Sequence, residues 1–129
     1  MSVVSVKDLR ILFPGSAPVV DGVSFEIAAG ECLAIVGESG SGKTLTANSL
    51  LGFVPGAAIL SATELTLDGV PTLGFRAADW RAVRGARVGL VSQDALVALD
   101  PLRRIGAEVT EALALRGRLS RAKRQARAI

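Results

Sequence analysis

The sequence is poor in aromatic residues, cysteine and histidine. Its 129 residues include four Phe, one Trp and no Tyr, so we expect a core built mainly from Val, Leu, Ile and Ala. Cys32 is the single cysteine, which excludes an intrachain disulfide. Histidine is absent altogether. The length suits one compact domain, and half of the residues are apolar, which is enough for an ordered core.

The N-terminus shows no signal peptide, because charged residues interrupt the first ten positions. Residues 44–63 carry no charge, but Asn48 and Pro55-Gly56 within them argue against a membrane span. We therefore expect a soluble chain that reaches a membrane only through a partner.

Charge is unevenly distributed along the chain. Residues 1–100 hold seven Lys/Arg and ten Asp/Glu, a net −3, whereas residues 101–129 hold eight and two, a net +6. A basic segment can bind nucleic acid or an anionic membrane. No aromatic side chains interleave these arginines, as single-strand binding requires. We interpret the segment as a solvated helix face and expect no nucleic-acid partner.

Alternating and turn-forming residues predict an antiparallel sheet. Residues 19–27 alternate apolar and polar side chains, which is typical of a half-buried antiparallel strand, and residues 3–13 form an extended segment. A turn is predicted at residues 29–31. Residues 63–67 form a further strand candidate that ends at the turn dipeptide Asp68-Gly69.

Two further strands and four helices are predicted. Residues 32–36 are apolar throughout, as in a strand buried on both faces of a parallel sheet, and residues 87–92 predict another strand. Helical patterns cover residues 45–53 (stopped by Pro55-Gly56), 77–84 (ended by Gly85), 102–115, and a last stretch from a Ser120 cap to residue 129.

Residues 37–44, GESGSGKT, match the pattern G-x-x-x-x-G-K-[ST] of a phosphate-binding loop. Its glycines allow the backbone to approach phosphate oxygens, and successive N–H groups there form an anion-binding nest. Lys43 supplies a cation for the β- and γ-phosphates, and the Thr44 hydroxyl is placed to bind Mg²⁺. The predicted nucleotide contacts are Gly37, Glu38, Ser39, Gly40, Ser41, Gly42, Lys43, Thr44 and Thr46, with Glu38 and Ser39 contributing backbone contacts alone.

Several spaced motifs resemble the beginning of an ABC transporter ATP-binding subunit, most closely those of dipeptide and oligopeptide importers. They are VDGVSFEI at 20–27, Gly30-Glu31, the loop itself, LDG at 67–69, VSQD at 91–94, LDP at 99–101 and Ile105-Gly106. The resemblance implies an α/β fold of the P-loop NTPase class. It also implies an antiparallel β part at 1–30, a P-loop core that continues to the Q-loop at 31–94, and the start of a helical subdomain at 95–129.

The resemblance also implies functional roles. Phe13 matches the aromatic residue that stacks on adenine, although a core Phe at a strand end fits equally well. Gln93 matches the Q-loop glutamine that contacts Mg²⁺ or the attacking water; the alternative is a surface residue. Lys43 and Gln93 are thus the catalytic candidates, and Thr44 and Gln93 the metal ligands. The implied cofactors are ATP and Mg²⁺. The implied partners are transmembrane permease subunits and a second ATP-binding subunit, at the cytoplasmic face of the membrane.

Other motifs of that family do not occur in the sequence. It contains no L-S-G-G-Q signature, no second apolar strand ending in Asp-Glu, and no histidine. We therefore interpret the chain as the N-terminal portion of such a subunit, one that binds ATP but does not hydrolyse it alone, and whose incomplete parallel sheet exposes apolar surface. Two alternatives stay open: a non-catalytic nucleotide-binding module, and another P-loop NTPase. The transported substrate is selected elsewhere in such systems.

Overall fold

The computed structural model describes residues 2–93, 99–111, 113 and 120–127. The chain divides into two compact units, residues 1–77 and 78–129. Among the described residues, the first unit contains five strands and the first helix, and the second contains short helices.

An antiparallel sheet forms the first unit. Its elements are β1 (Ser2–Leu12), β2 (Val20–Ala28), α1 (Lys43–Ser49), β3 (Ile59–Ser61), β4 (Glu64–Leu67) and β5 (Val70–Pro71). The main path of the sheet runs β2-β1-β4-β5, and β3 pairs with β1. All of these pairings are antiparallel, as predicted for β2, and the sheet extends beyond the predicted antiparallel part at 1–30 because it includes β3, β4 and β5.

A β-bulge in β1 brings the core residues of this strand to one face. Val6 and Leu9 are three residues apart, so in a regular strand they would point to opposite faces. The register with β2 shifts between them, and Asp8 takes up the extra residue with a φ of 51°. The freed Asp8 N–H donates to Ser24 Oγ at 2.9 Å. As a result Val6 and Leu9 are both buried.

The core of the first unit lies against the bulged strand. Its buried cluster consists of Val6, Leu9, Ile11, Val20 and Leu65. Side chains from α1 and from the segment that follows it, among them Leu45 and Leu50, pack on this cluster. Burial of these aliphatic groups holds α1 against the sheet, and the core therefore sets the position of the loop before α1.

Two turns have the geometry that the sequence predicted. Asp68 and Gly69 both have positive φ, 50° and 73°, as the tight hairpin between β4 and β5 requires. At the end of β2, Glu31 N–H donates to Ala28 O at 3.1 Å, which closes the predicted turn at 29–31.

The first helix ends earlier than predicted. Gly52 has a φ of 67°, its N–H donates to Ser49 O, and Phe53 N–H donates to Asn48 O at 2.9 Å. This pair of bonds is the Schellman arrangement, in which a glycine in the left-handed conformation closes the helix. The stop is therefore Gly52, and Pro55-Gly56 plays no part in it.

Neither the buried strand predicted at residues 32–36 nor the strand predicted at residues 87–92 is formed. Residues 32–36 and 88–92 lack strand structure apart from an isolated bridge between Arg84 and Val88, and Val36 and Val91 are 88% and 97% exposed. A parallel strand is stable only when neighbouring strands satisfy its N–H and C=O groups. No described segment pairs with residues 32–36. The predictions of a buried strand at 32–36 and of another strand at 87–92 were wrong, while the expected exposure of apolar surface is confirmed.

The second unit contains α2 (Ala77–Val83), α3 (Ile105–Val109) and α4 (Arg121–Arg127). The predicted helix over 77–84 is confirmed, and Gly85 follows it with a φ of 75°. The predicted helix over 102–115 begins later than predicted, because residues 102–104 have no helical structure; residues 112, 114 and 115 lie outside the described residues. Ser120 stands directly before α4, as predicted, and its Oγ accepts from Lys123 N–H at 3.4 Å.

Candidate phosphate-binding site

The residues of the candidate loop connect an exposed segment to α1. Residues 31–38 have no regular structure, and a turn follows at residues 39–40. Gly40 and Gly42 both adopt left-handed φ values, 82° and 85°, and Ser41 N–H donates to Glu38 O at 3.3 Å. This conformation is favourable for glycine and strained for other residues. Gly40 and Gly42 thus adopt a backbone conformation that other residues avoid, and their approach to phosphate oxygens stays a prediction.

The Lys43 ammonium group is held inside the loop. Its Nζ donates to Gly37 O at 2.8 Å and to Glu38 O at 2.5 Å. These bonds use two of the three N–H donors of a lysine ammonium group and leave its charge at the centre of the loop. The loop is therefore organised around a cation before any anion binds.

Two threonines on α1 have different environments. Thr44, in the first turn, is exposed, so its hydroxyl is accessible to a ligand or a cation. Thr46 is 5% exposed, and its Oγ1 donates to Gly42 O at 3.0 Å. The Thr46 hydroxyl proton is thus used within the helix, and the predicted contact of Thr46 with a nucleotide would have to use its oxygen as an acceptor.

Gly42 is the tightest position of the loop, and it provides a first testable prediction. A Cβ added there would lie 2.9 Å from Val19 O and 3.1 Å from Val20 Cγ2. Gly42→Ala should therefore lower the free energy of unfolding by about 2–4 kcal/mol, since a clash with backbone is added to the cost of a left-handed alanine. Urea unfolding of the purified variant measures this change.

Gly40→Ala is the matched control for this prediction. Gly40 has nearly the same φ, but a Cβ added there would meet nothing within 4 Å. The expected loss is about 1–2 kcal/mol, from backbone strain alone. Equal losses for the two variants would show that the approach of Gly42 to Val19 has no energetic importance.

An open cavity of about 360 Å³ lies beside the loop. Among the described residues, its lining includes Gly37, Ser41, Lys43 and Thr46 from the loop and α1, together with apolar side chains from β2 and the exposed segment: Val19, Val20, Val23, Phe25, Ile35 and Val36. Asp21 also lines it, and its carboxylate would repel a phosphate. Arg10 forms an ion pair with Asp21, which offsets that repulsion.

The sequence interpretation did not include Phe25 and Val23 among the residues beside the loop. Alternation along β2 places both side chains on one face of the strand, and this face lines the cavity. The period-two pattern was visible in the sequence. What it could not indicate is which face of β2 meets the loop.

The described residues contain no group of three or more His, Cys, Asp or Glu side chains that could hold a metal ion. A dedicated protein cage is also not the usual way of binding Mg²⁺, which commonly uses one or two protein oxygens together with substrate phosphates and water. The exposed Thr44 hydroxyl beside a phosphate-binding loop fits that mode.

Comparison with known sequences decides the family. A sequence model described as ABC transporter matches residues 20–129. This chain belongs to the ABC transporter family.

Three curated relatives with similar sequences are named as peptide transport proteins. The chain is 37% identical over 114 residues to the dipeptide transport ATP-binding protein DppD of Lactococcus lactis, covering 86% of this chain and 33% of the relative. It is 38% identical to a probable peptide ABC transporter ATP-binding protein, y4tR, of Sinorhizobium fredii (92% and 36% covered). It is 33% identical to the oligopeptide transport ATP-binding protein OppD of Bacillus subtilis (96% and 36% covered). The chain thus spans about a third of the length of these relatives.

The cavity lining does not include every predicted site residue of this ABC family chain: it lacks Phe13 and Gln93, and also Glu38, Ser39, Gly40, Gly42 and Thr44. Phe13 is half-buried at the end of β1, and its carbonyl accepts from Ser16 N–H and Oγ at 3.0 and 2.9 Å. Gln93 is exposed in a bend of the second unit. The roles of Phe13 beside adenine and of Gln93 beside Mg²⁺ stay predictions.

In the part of the chain that the structure describes, no helix combines the length and the apolar character needed to cross a membrane.

Proposed function

We propose that this chain is the ATP-binding front portion of an ATPase subunit that energises an ABC importer of peptides or similar small solutes. The observation that carries the proposal is the Lys43 ammonium group, fixed by Gly37 O and Glu38 O inside a loop with two left-handed glycines. The names of the similar proteins support the solute class, because each of the three is a peptide transport protein.

The loop residues would bind the triphosphate of ATP. Backbone N–H groups of residues 37–44 would donate to phosphate oxygens, and the positive end of α1 adds a further favourable field. Lys43 would neutralise charge on the β- and γ-phosphates, and Thr44 would share Mg²⁺ with them. Bound Mg²⁺ supplies charge stabilisation at the phosphates. Phe13 would pack on adenine, and Gln93 would approach the γ-phosphate and Mg²⁺.

This chain would bind ATP without hydrolysing it by itself. Phosphoryl transfer depends on groups that position the attacking water and stabilise developing charge. The sequence offers no acidic pair after an apolar strand and no histidine for such work. In the assembled transporter a second ATP-binding subunit and transmembrane permease subunits would be the partners, at the cytoplasmic face of the membrane.

A titration of the 129-residue chain with ATP, with and without Mg²⁺, tests this function. We expect saturable ATP binding that Mg²⁺ tightens, and no release of phosphate above the buffer rate. In Thr44→Ala the tightening by Mg²⁺ should fall by about tenfold, because one protein oxygen is lost from the metal shell. Isothermal titration calorimetry measures both affinities.

Thr66→Ala is the control, since this substitution removes the same kind of hydroxyl group from a residue of β4, in the sheet. It should keep the full effect of Mg²⁺. Steady ATP hydrolysis that disappears in Lys43→Ala would contradict the proposal that this chain only binds the nucleotide.

A further inference from the structure

A second cavity, of about 500 Å³, lies within the second unit, and no role assigned above uses it. It is lined by side chains of α3, α4 and the residues just before α3. Three arginines face it, Arg103, Arg104 and Arg124, against one carboxylate, Glu111, among the described residues. The lining therefore carries excess positive charge in a concave place, whereas a solvated basic helix would spread its charge outwards.

The three arginines are not equivalent. Arg103 Nη1 donates to Glu111 Oε2 at 2.8 Å, and its Nε lies 3.9 Å from Glu108 Oε1. The hydrogen bond to Glu111, with the charges of Glu111 and Glu108, raises the pKa of Arg103. Both carboxylates are thus occupied by Arg103. Within the described part of the chain, neither Arg104 nor Arg124 forms an ion pair, and their charges are available to a ligand.

Arg124 has an unsatisfied hydrogen-bond donor. Its Nε is shielded from solvent and has no hydrogen-bond partner. A buried N–H group without an acceptor is costly, and nearly all such groups in folded proteins find one. Because Arg124 also lines the cavity, an anion placed there would meet the positive charges of Arg124 and Arg104.

We propose that this cavity binds an oxyanion of the phosphate type. The planar guanidinium group presents its N–H donors in a fork that matches two oxygens of a phosphate group, and such charge-assisted bonds are among the strongest in proteins. Free phosphate and the headgroup of an anionic lipid share this chemistry. The site is separate from residues 37–44, because it is built from other residues in the other unit.

The test is a titration of the full 129-residue chain with inorganic phosphate, followed by NMR of the arginine Nε–H groups and of the backbone amides of residues 104–107. It is made in wild type and in Lys43→Ala, which disables the phosphate-binding loop. We expect a saturable shift of the Arg124 Nε–H signal in both chains. If Lys43→Ala loses nucleotide binding but keeps this shift, the two sites are separate.

Substitutions locate the anion. Arg124→Gln and Arg104→Gln should each weaken phosphate binding by about tenfold or more, since each removes a charged donor. Arg127→Gln removes the same charge from α4 but does not line the cavity, and it should change the affinity less than about twofold. Equal weakening by all three variants would show general attraction to a basic surface and overturn the site. Shifts confined to residues 37–46 would also overturn it.

Vesicles distinguish the source of the phosphate group. If the chain binds vesicles that contain anionic phospholipid and not neutral vesicles, and if this binding depends on Arg104 and Arg124, the cavity is assigned to a lipid headgroup. Saturable binding of free phosphate without vesicle binding would assign it to a soluble anion. Absence of both responses in a folded chain would refute the proposal.

Discussion

Lys43→Ala should weaken the binding of Mg·ATP by about 100-fold or more. The lysine would lose its charge-assisted bonds to the phosphates, and the loop would lose the two bonds from Nζ to Gly37 O and Glu38 O. Both losses act on the same site, one on the contact and the other on the organisation of the loop before binding. Isothermal titration calorimetry against Mg·ATP measures the change.

Lys7→Ala provides the charge-matched control. Lys7 lies on β1, paired with Glu64 of β4 in the sheet register, and its Nζ is 2.7 Å from Glu64 Oε2. Their hydrogen bond raises the pKa of Lys7 and lowers that of Glu64. The pair is on the surface, so its loss should leave ATP affinity within about twofold of wild type. Wild-type affinity in Lys43→Ala would remove the basis of the assignment.

Leu9→Ala should produce the largest loss of stability, about 2–5 kcal/mol in the free energy of unfolding. Leu9 is 0% exposed and belongs to the buried cluster that holds α1 on the sheet. Removal of three side-chain carbons leaves a cavity at the bulge of β1, next to Asp8, whose φ is positive. Urea unfolding followed by circular dichroism measures the loss.

Leu73→Ala is the control in the same unit. Leu73 is 40% exposed and lies outside the buried cluster. Its truncation should cost about 1 kcal/mol or less, because much of its surface already contacts water. A cost as large as that of Leu9→Ala would mean that the identified cluster is not the centre of the core.

The antiparallel sheet was predictable from sequence because its signals are local. Alternation in residues 20–28 and the Asp68-Gly69 dipeptide each specify geometry within a few residues, and the structure follows both. The β1 bulge was not predictable in the same way. It arises because Val6 and Leu9 must both reach a core whose position depends on β2 and β4.

The candidate site likewise has features that the sequence predicts and features that it does not. The motif at residues 37–44 specified the glycines, the lysine and the threonine, and the structure places them in one loop. The apolar wall with Phe25 depends on which strand faces the loop, and the ion pair between Arg10 and Asp21 depends on the pairing of β1 with β2. Such contacts join residues far apart in sequence, and no local pattern encodes them.

Sequence by itself determined the local form of residues 37–44, because Gly40 and Gly42 accept the left-handed conformation and Lys43 is close enough along the chain to bond to Gly37 O. It also determined the membership of the ABC transporter family, through motifs spaced along residues 20–129. Tertiary structure alone decided the state of the apolar runs near residues 32–36 and 88–92. Their side chains suit a buried sheet, but without a neighbouring strand to satisfy their backbone groups they do not form strands, and Val36 and Val91 are exposed.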